Sequence, residues 1–369
     1  MTTLRHRLQK WLVTIGVFVA GGAVGWLLPI DSPLTSQRIL NNRGEILRQQ
    51  DTGSYQFIDP LLACDIGTED AFPEFAPIKQ KLENLIDQEE SSDSIDSVSV
   101  YARSMKGGRW FEINGDTIYA PASLLKVFVM MAYYKEAEDT SKATDASYSG
   151  ILERQIVFEG SPDPAADDPG EVIPHLVSGK SYSVSQVIDQ MIVYSDNDAM
   201  NTLLDNFHPQ TLTALKEIFA DLNIPSPLTV NESTLNFMPV GDYAMVFRVL
   251  YGATYLSRDD SERALKLLSQ AHYADGIVAG VPKGVTVAHK FGDTTVSNDN
   301  GGTTDELHDC GVVYLPNHPY LLCVMTKGSS FSSQQTAIQD ISRATYQSLS
   351  AFYAGAKPAA ATSTVTTRK

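Results

Sequence analysis

Cysteine is scarce in this chain: Cys64, Cys310 and Cys323 are the three among 369 residues, so at most one internal disulfide can form. Neither a C-x-x-C nor an H-x-x-x-H spacing occurs among these cysteines and the seven histidines, and no zinc site is legible. His308-Asp309-Cys310 reads instead as a satisfied strand histidine with its neighbours. Basic charge is also in short supply. With 28 Lys and Arg against 44 Asp and Glu, the formal net charge is -16, and nucleic-acid affinity rests on the opposite balance. Nucleic acid is therefore not an expected partner. No solenoid-like period is present either. What the chain does have is 43% hydrophobic residues over its length, enough to bury the core of one large or two intimately joined folding units.

The first thirty residues stand apart. Arg5, Arg7 and Lys10 precede an uncharged apolar run from Trp11 to Ile30, long enough to cross a bilayer as a helix. The run continues through Trp26-Leu27-Leu28 beyond the small residues at 20–23, which favours an uncleaved anchor over a cleaved signal peptide. Cations before the span stay in the cytoplasm, so everything after Asp31 is expected outside the cell membrane. Residues 31–75 read as a polar stem, with a strand pair around 38–40 and 45–47. In that oxidising compartment Cys310 and Cys323, on apolar runs either side of Pro316-Asn317-His318-Pro319, are candidates for hairpin neighbours. A disulfide and a pair of buried thiols are both compatible with that placement.

Ile78, Leu82, Leu85 and Ile86 recur at helical spacing behind Pro77, which suits a first turn. Val98, Val100 and Ala102 alternate with polar residues, and Lys106-Gly107-Gly108 separates them from Trp110-Phe111-Glu112-Ile113, a two-stranded hairpin. A strongly apolar helix follows from Ala122 to Lys135. Between about 136 and 279 helical periodicity dominates, in pieces at 185–194, 198–206, 210–222, 241–251 and 261–271. Strands are then expected at 285–290, 307–315 and 320–326, a last helix at 338–353, and a tail without core pattern at 356–369. Two strands before a helical block and three after it predict an α+β fold, an antiparallel sheet of about five strands flanked by helices with an inserted all-helical lobe. The main domain is placed at 76–355, its sheet part at 76–135 and 280–355 and its helical lobe at 136–279.

Three short motifs carry chemistry. Ser123-Leu124-Leu125-Lys126 is the only S-x-x-K in the chain, and residues three apart on a helix share a face. A serine is a poor nucleophile unless a neighbouring base takes its proton, and burial near a second cation would push a lysine toward the neutral form that can do so. Ser195-Asp196-Asn197 falls between two helical pieces, where such residues also serve as caps. Lys290-Phe291-Gly292 closes the strand at 285–290; alone, an edge lysine is the plainer reading.

In this order the motifs resemble the S-x-x-K, S-D-N and K-T-G set of class A β-lactamases and penicillin-binding proteins, and the chain resembles that penicillin-recognising serine hydrolase family over about Pro77 to Tyr353. The resemblance implies a catalytic Ser123 with Lys126 beside it. It implies that Ser195 relays a proton to the leaving nitrogen, Asn197 binds Lys126 and the substrate amide, and Lys290 supplies positive potential. Gly292 would let an acyl group lie against the strand, and the backbone N–H groups of Ser123 and Asp293 would form the oxyanion hole. Phe291 departs from the pattern, since it cannot hydrogen-bond a carboxylate. That duty is expected to pass to His289 or an arginine, or to be weak. Glu232-Ser233-Thr234-Leu235-Asn236 has the family's E-x-x-L-N form, and Glu232 is either the deacylating carboxylate or a solvated loop residue. The implied substrates are β-lactams or D-alanyl-D-alanine cell-wall peptides, with no metal or organic cofactor. A hydrolase, a peptidase or transpeptidase, and an acylated sensor without turnover all use the same acylation parts.

Overall fold

The structure is a computed structural model and describes residues 55–60, 72–91, 94–141, 150–160, 174–227, 236–297 and 302–355. The expected anchor, the strand pair of the stem and the tail lie outside these residues. Among the described residues no helix is long and apolar enough to cross a membrane.

Five antiparallel strands form the central sheet: β1 (Ile95–Ser104), β2 (Trp110–Ile113), β7 (Val287–Ser297), β8 (Thr303–Val313) and β9 (Tyr320–Gly328), in the order β2-β1-β9-β8-β7. The sheet is buried on both faces. One face, with Val98, Val100, Leu322 and Val324, packs against α1 (Ala76–Glu90) and α9 (Phe331–Gly355). Ala288, Cys310, Val312, Leu321 and Met325 face the other way, into a larger core shared with the helical lobe. Alternation along each strand thus feeds two cores, and α+β is the observed class, as the order of segments predicted.

At the centre of the larger core runs α2 (Lys126–Ser141), whose residues from Val127 to Tyr134 are all buried. A helix apolar on every side has no solvent face to orient it and must be enclosed. The lobe around it holds α3 (Val184–Val193), α4 (Asn197–Asp205), α5 (Pro209–Asp221), α6 (Val240–Tyr251) and α7 (Arg258–Leu268), each within a few residues of its sequence-derived position. Short strands within the lobe had no sequence signal. β4 (Gln155–Val157) pairs with β5 (Ser181–Ser183), and β6 (Met238–Pro239) pairs with β3 (Ile118–Tyr119) outside it.

Two expectations change, and one open alternative is decided. The strand expected to end at Lys290 continues as β7 to Ser297, because its polar residues pair with β8 as a ribbon. Cys310 and Cys323 stand directly opposite on β8 and β9 and are joined as a disulfide. Part of the stem is not a free spacer: Phe57 and Ile58 are buried in the larger core.

Candidate active site

Ser123 lies in a 3-10 turn, Ala122–Leu125, that leads into α2. The tighter turn brings positions i and i+3 nearly into line, and Lys126 Nζ sits 2.6 Å from Ser123 Oγ. The turn is held from several sides. Tyr243 of α6 donates its hydroxyl to Leu124 O at 3.1 Å, and Phe237 N donates to Tyr119 O at 3.0 Å. From β8, Glu306 Oε2 accepts Ala120 N at 2.7 Å, and His308 Nε2 bonds Ala120 O at 3.0 Å. Glu306 also bonds Lys327 at 3.1 Å. Burial alone would raise the Glu306 carboxyl, but His308, the Ala120 N–H and Lys327 together hold it below its usual range.

Ser195 reaches the same point from the turn between α3 and α4. Its φ of 57° is in the left-handed region, uncommon for a residue with a Cβ and typical of functional sites. Both its polar groups meet lysines: the carbonyl accepts Lys126 Nζ at 2.7 Å, and Oγ lies 3.4 Å from Lys126 Nζ and 2.8 Å from Lys290 Nζ. Asp196 caps α4 through Ala199 N at 3.0 Å and accepts Gln190 Nε2 at 2.9 Å. That leaves Asn197, in the first turn of α4, to offer Oδ1 to Lys126 at 2.7 Å.

Lys290 enters from β7, and its Nζ also donates to Phe291 O at 2.8 Å. Both lysines are 1% exposed. Burial lowers Lys126 to about 8, against the opposing charges of Asp196 and Asp293. Burial and then the charge of Lys126 push Lys290 well below the ordinary lysine value, with Asp309 and Asp293 opposing. Gly292 allows the close passage of β7 beside the nucleophile. A Cβ there would lie 2.9 Å from Pro121 O, 3.0 Å from Leu124 N and 3.1 Å from Ser123 N, nearer than neighbouring backbone permits.

Chemically, a charged Lys126 would donate to Ser123 Oγ, Ser195 O and Asn197 Oδ1 at once. When neutral it keeps two of those donations, and its lone pair faces the Ser123 hydroxyl, which is the state a general base requires. The three motifs therefore converge on one point. His289 does not join them. It is 1% exposed with its Nδ1 2.8 Å from Asp309 Oδ1, so a buried partner already occupies the side chain considered for carboxylate binding. Glu232 lies outside the described residues. Asn236, at the end of the same motif, is half-buried with no hydrogen-bond partner for Oδ1 among the described residues. Glu306, Tyr243 and Tyr273 were not singled out from sequence, because their place follows from pairings between distant segments.

Fold and site together define a serine hydrolase in which lysines, rather than a histidine, attend the nucleophile. The family model described as the beta-lactamase enzyme family matches residues 77–349. A beta-lactamase from Proteus vulgaris is 29% identical over 222 residues, covering 57% of this chain and 67% of that protein. Among solved structures, that of PBP-A covers 75% of this chain and 97% of its own at 20% identity and a TM-score of 0.58. A class A beta-lactamase from Bacteroides cellulosilyticus covers 74% and 99% at 17% identity, with a TM-score of 0.58. The chain belongs to the beta-lactamase enzyme family.

Proposed function

We propose that this protein hydrolyses β-lactam amides through an acyl-enzyme on Ser123. The observation that carries this reading is the unbroken contact path from Ser123 Oγ to Lys126 Nζ at 2.6 Å, on to Ser195 Oγ at 3.4 Å and to Lys290 Nζ at 2.8 Å. Lys126 takes the Ser123 proton as Oγ attacks the lactam carbonyl. The C–N bond breaks, and the ring nitrogen receives a proton through Ser195, held by Lys290 and re-supplied from Lys126. The backbone N–H groups of Ser123 and Asp293 hold the oxyanion in this reading. A variant of PBP-A has been seen as an acyl-enzyme complex with penicillin G, chemistry of the same kind on the same fold.

Deacylation needs a positioned water. Asn236 supports assigning that role to the Glu232 to Asn236 segment, because Phe237 ties it to Tyr119, four residues before the nucleophile. A buried acceptor such as its Oδ1 ordinarily finds a water or a ligand N–H.

Intact mass spectrometry over time with benzylpenicillin tests the reading. A covalent adduct on Ser123 should form and decay with product release, and Ser123→Ala should form none. Glu232→Gln should accumulate the adduct. Labelling that survives Ser123→Ala would remove the nucleophile, and turnover unchanged in Glu232→Gln would remove Glu232. An adduct that persists in the wild-type protein would instead favour the sensor, and preferential turnover of a D-alanyl-D-alanine peptide the peptidase.

A further inference from the structure

Phe291 stands where the third motif ordinarily carries a hydroxyl, and the structure gives it a fixed place. Its ring stacks on Tyr273 with centroids 4.0 Å apart and planes 22° from parallel, while Lys290 Nζ lies 4.3 Å from its centroid. Tyr273 is held in turn. Four residues on, Ile277 N, at the start of α8 (Ile277–Gly280), donates to Asp309 Oδ2 at 2.8 Å, Oδ1 of the same carboxylate binds His289, and Gly276 is pressed so closely on Asp309 that no Cβ would fit. An aromatic pair therefore stands beside Lys290 at the edge of the site, where the third motif would otherwise offer a hydroxyl.

Charge on that flank has the same consequence. Alternation along β7, the end strand of the sheet, sets Lys290 and Gly292 on the face toward Ser123 and Phe291 and Asp293 on the other, with Phe291 packed on the smaller core; at the open edge of the strand Lys290 Nζ comes back over the Phe291 ring. Asp293 is exposed, and its negative charge is felt by both lysines. The two lysines that feel it are committed elsewhere. Lys126 and Lys290 are buried on Ser123, Ser195, Asn197 and Phe291 O, and His289 is buried on Asp309.

We propose that Phe291, Tyr273 and Asp293 make this site select acyl donors whose flank beside the scissile amide is uncharged, so that neutral β-lactam esters or amides acylate Ser123 in preference to the free carboxylic acids. A carboxylate placed there would lose its water, meet an aromatic ring in place of a hydroxyl donor, and face the charge of Asp293. This selectivity rests on the acyl-enzyme reading above.

The test compares acylation rates of Ser123 by benzylpenicillin and by its methyl ester, followed by intact mass spectrometry on the wild-type protein, Asp293→Asn and Phe291→Thr. In the wild type the ester should react at least as fast as the acid. Asp293→Asn, which keeps the side chain's shape, should raise the acid-to-ester ratio several-fold. Phe291→Thr should raise it by roughly tenfold, the worth of one hydrogen bond to a charged group. A wild-type protein that reacts faster with the acid overturns the inference, as does an acid-to-ester ratio that neither substitution moves. Absence of any adduct with either compound, in wild type and variants alike, removes the acyl-enzyme reading itself and the selectivity with it.

Discussion

Lys126 carries the sharpest residue-scale consequences. Its pKa of about 8 means that acylation of Ser123 should rise with pH and level off above about 8, measured as the adduct-forming rate across pH 6 to 10. The same shift acts on stability. A lysine whose folded value lies below its unfolded one binds fewer protons when folded, so the cost of burying it is fully present below about 8 and fades toward 10.5. The stability of the wild-type protein relative to Lys126→Met should therefore increase over that window by up to about 3 kcal/mol, read from urea unfolding at each pH. Gly292 works through space rather than charge. Gly292→Ala would press a methyl group on Pro121 O and the backbone of 123–124. Acylation should fall by up to about a hundredfold, with a stability loss of about 1–3 kcal/mol.

Among the elements, the turn that presents Ser123 depends on β6, β8 and α6 for its position, and none of these adjoins it in sequence. The 55–59 segment is equally a product of tertiary contact. Glu262 of α7 accepts the consecutive N–H groups of Gln56, Phe57 and Ile58 at 2.7, 2.7 and 3.0 Å, and Tyr55 donates to Asp259 at 2.7 Å. An amide at position 262 offers one acceptor in place of two, so Glu262→Gln should cost about 1–3 kcal/mol and speed proteolytic cutting near residue 56, checked by unfolding and by limited digestion. Helices with clean periodicity, such as α3 and α6, were legible to within a residue or two, since an apolar stripe and a cap are local properties. The short pairings β3 with β6 and Gln155–Val157 with Ser181–Ser183 were not, because two- and three-residue strands have too little alternation to read. The stem was misjudged at Phe57 for a related reason: two apolar residues in a polar stretch do not reveal the surface that awaits them.

On the scale of the whole molecule, the sheet separates two cores, and the site opens where its end strand β7 meets the lobe carrying Ser195. We propose that the first thirty residues act as an anchor that would hold this domain outside the cytoplasmic membrane. Fractionation of cells making the full chain should place it with membranes, whereas protein beginning at Asp31 should remain soluble. A soluble mature chain starting near Ala23 would show the segment to be a cleaved leader.

The amino-acid order alone determined the fold class, the main helices and the identity of the three motifs, because periodicity and short spacings are written along the chain. It also determined that position 291 lacks a hydroxyl. Only the tertiary structure decided that Ser123, Lys126, Ser195 and Lys290 meet within hydrogen-bonding distance, that Cys310 bonds Cys323, that His289 is spent on Asp309 and that Phe291 is stacked on Tyr273. Apart from Ser123 with Lys126 in one turn and Cys310 with Cys323 across one hairpin, these contacts join distant segments whose separation in space is set by packing, and no local pattern encodes that distance.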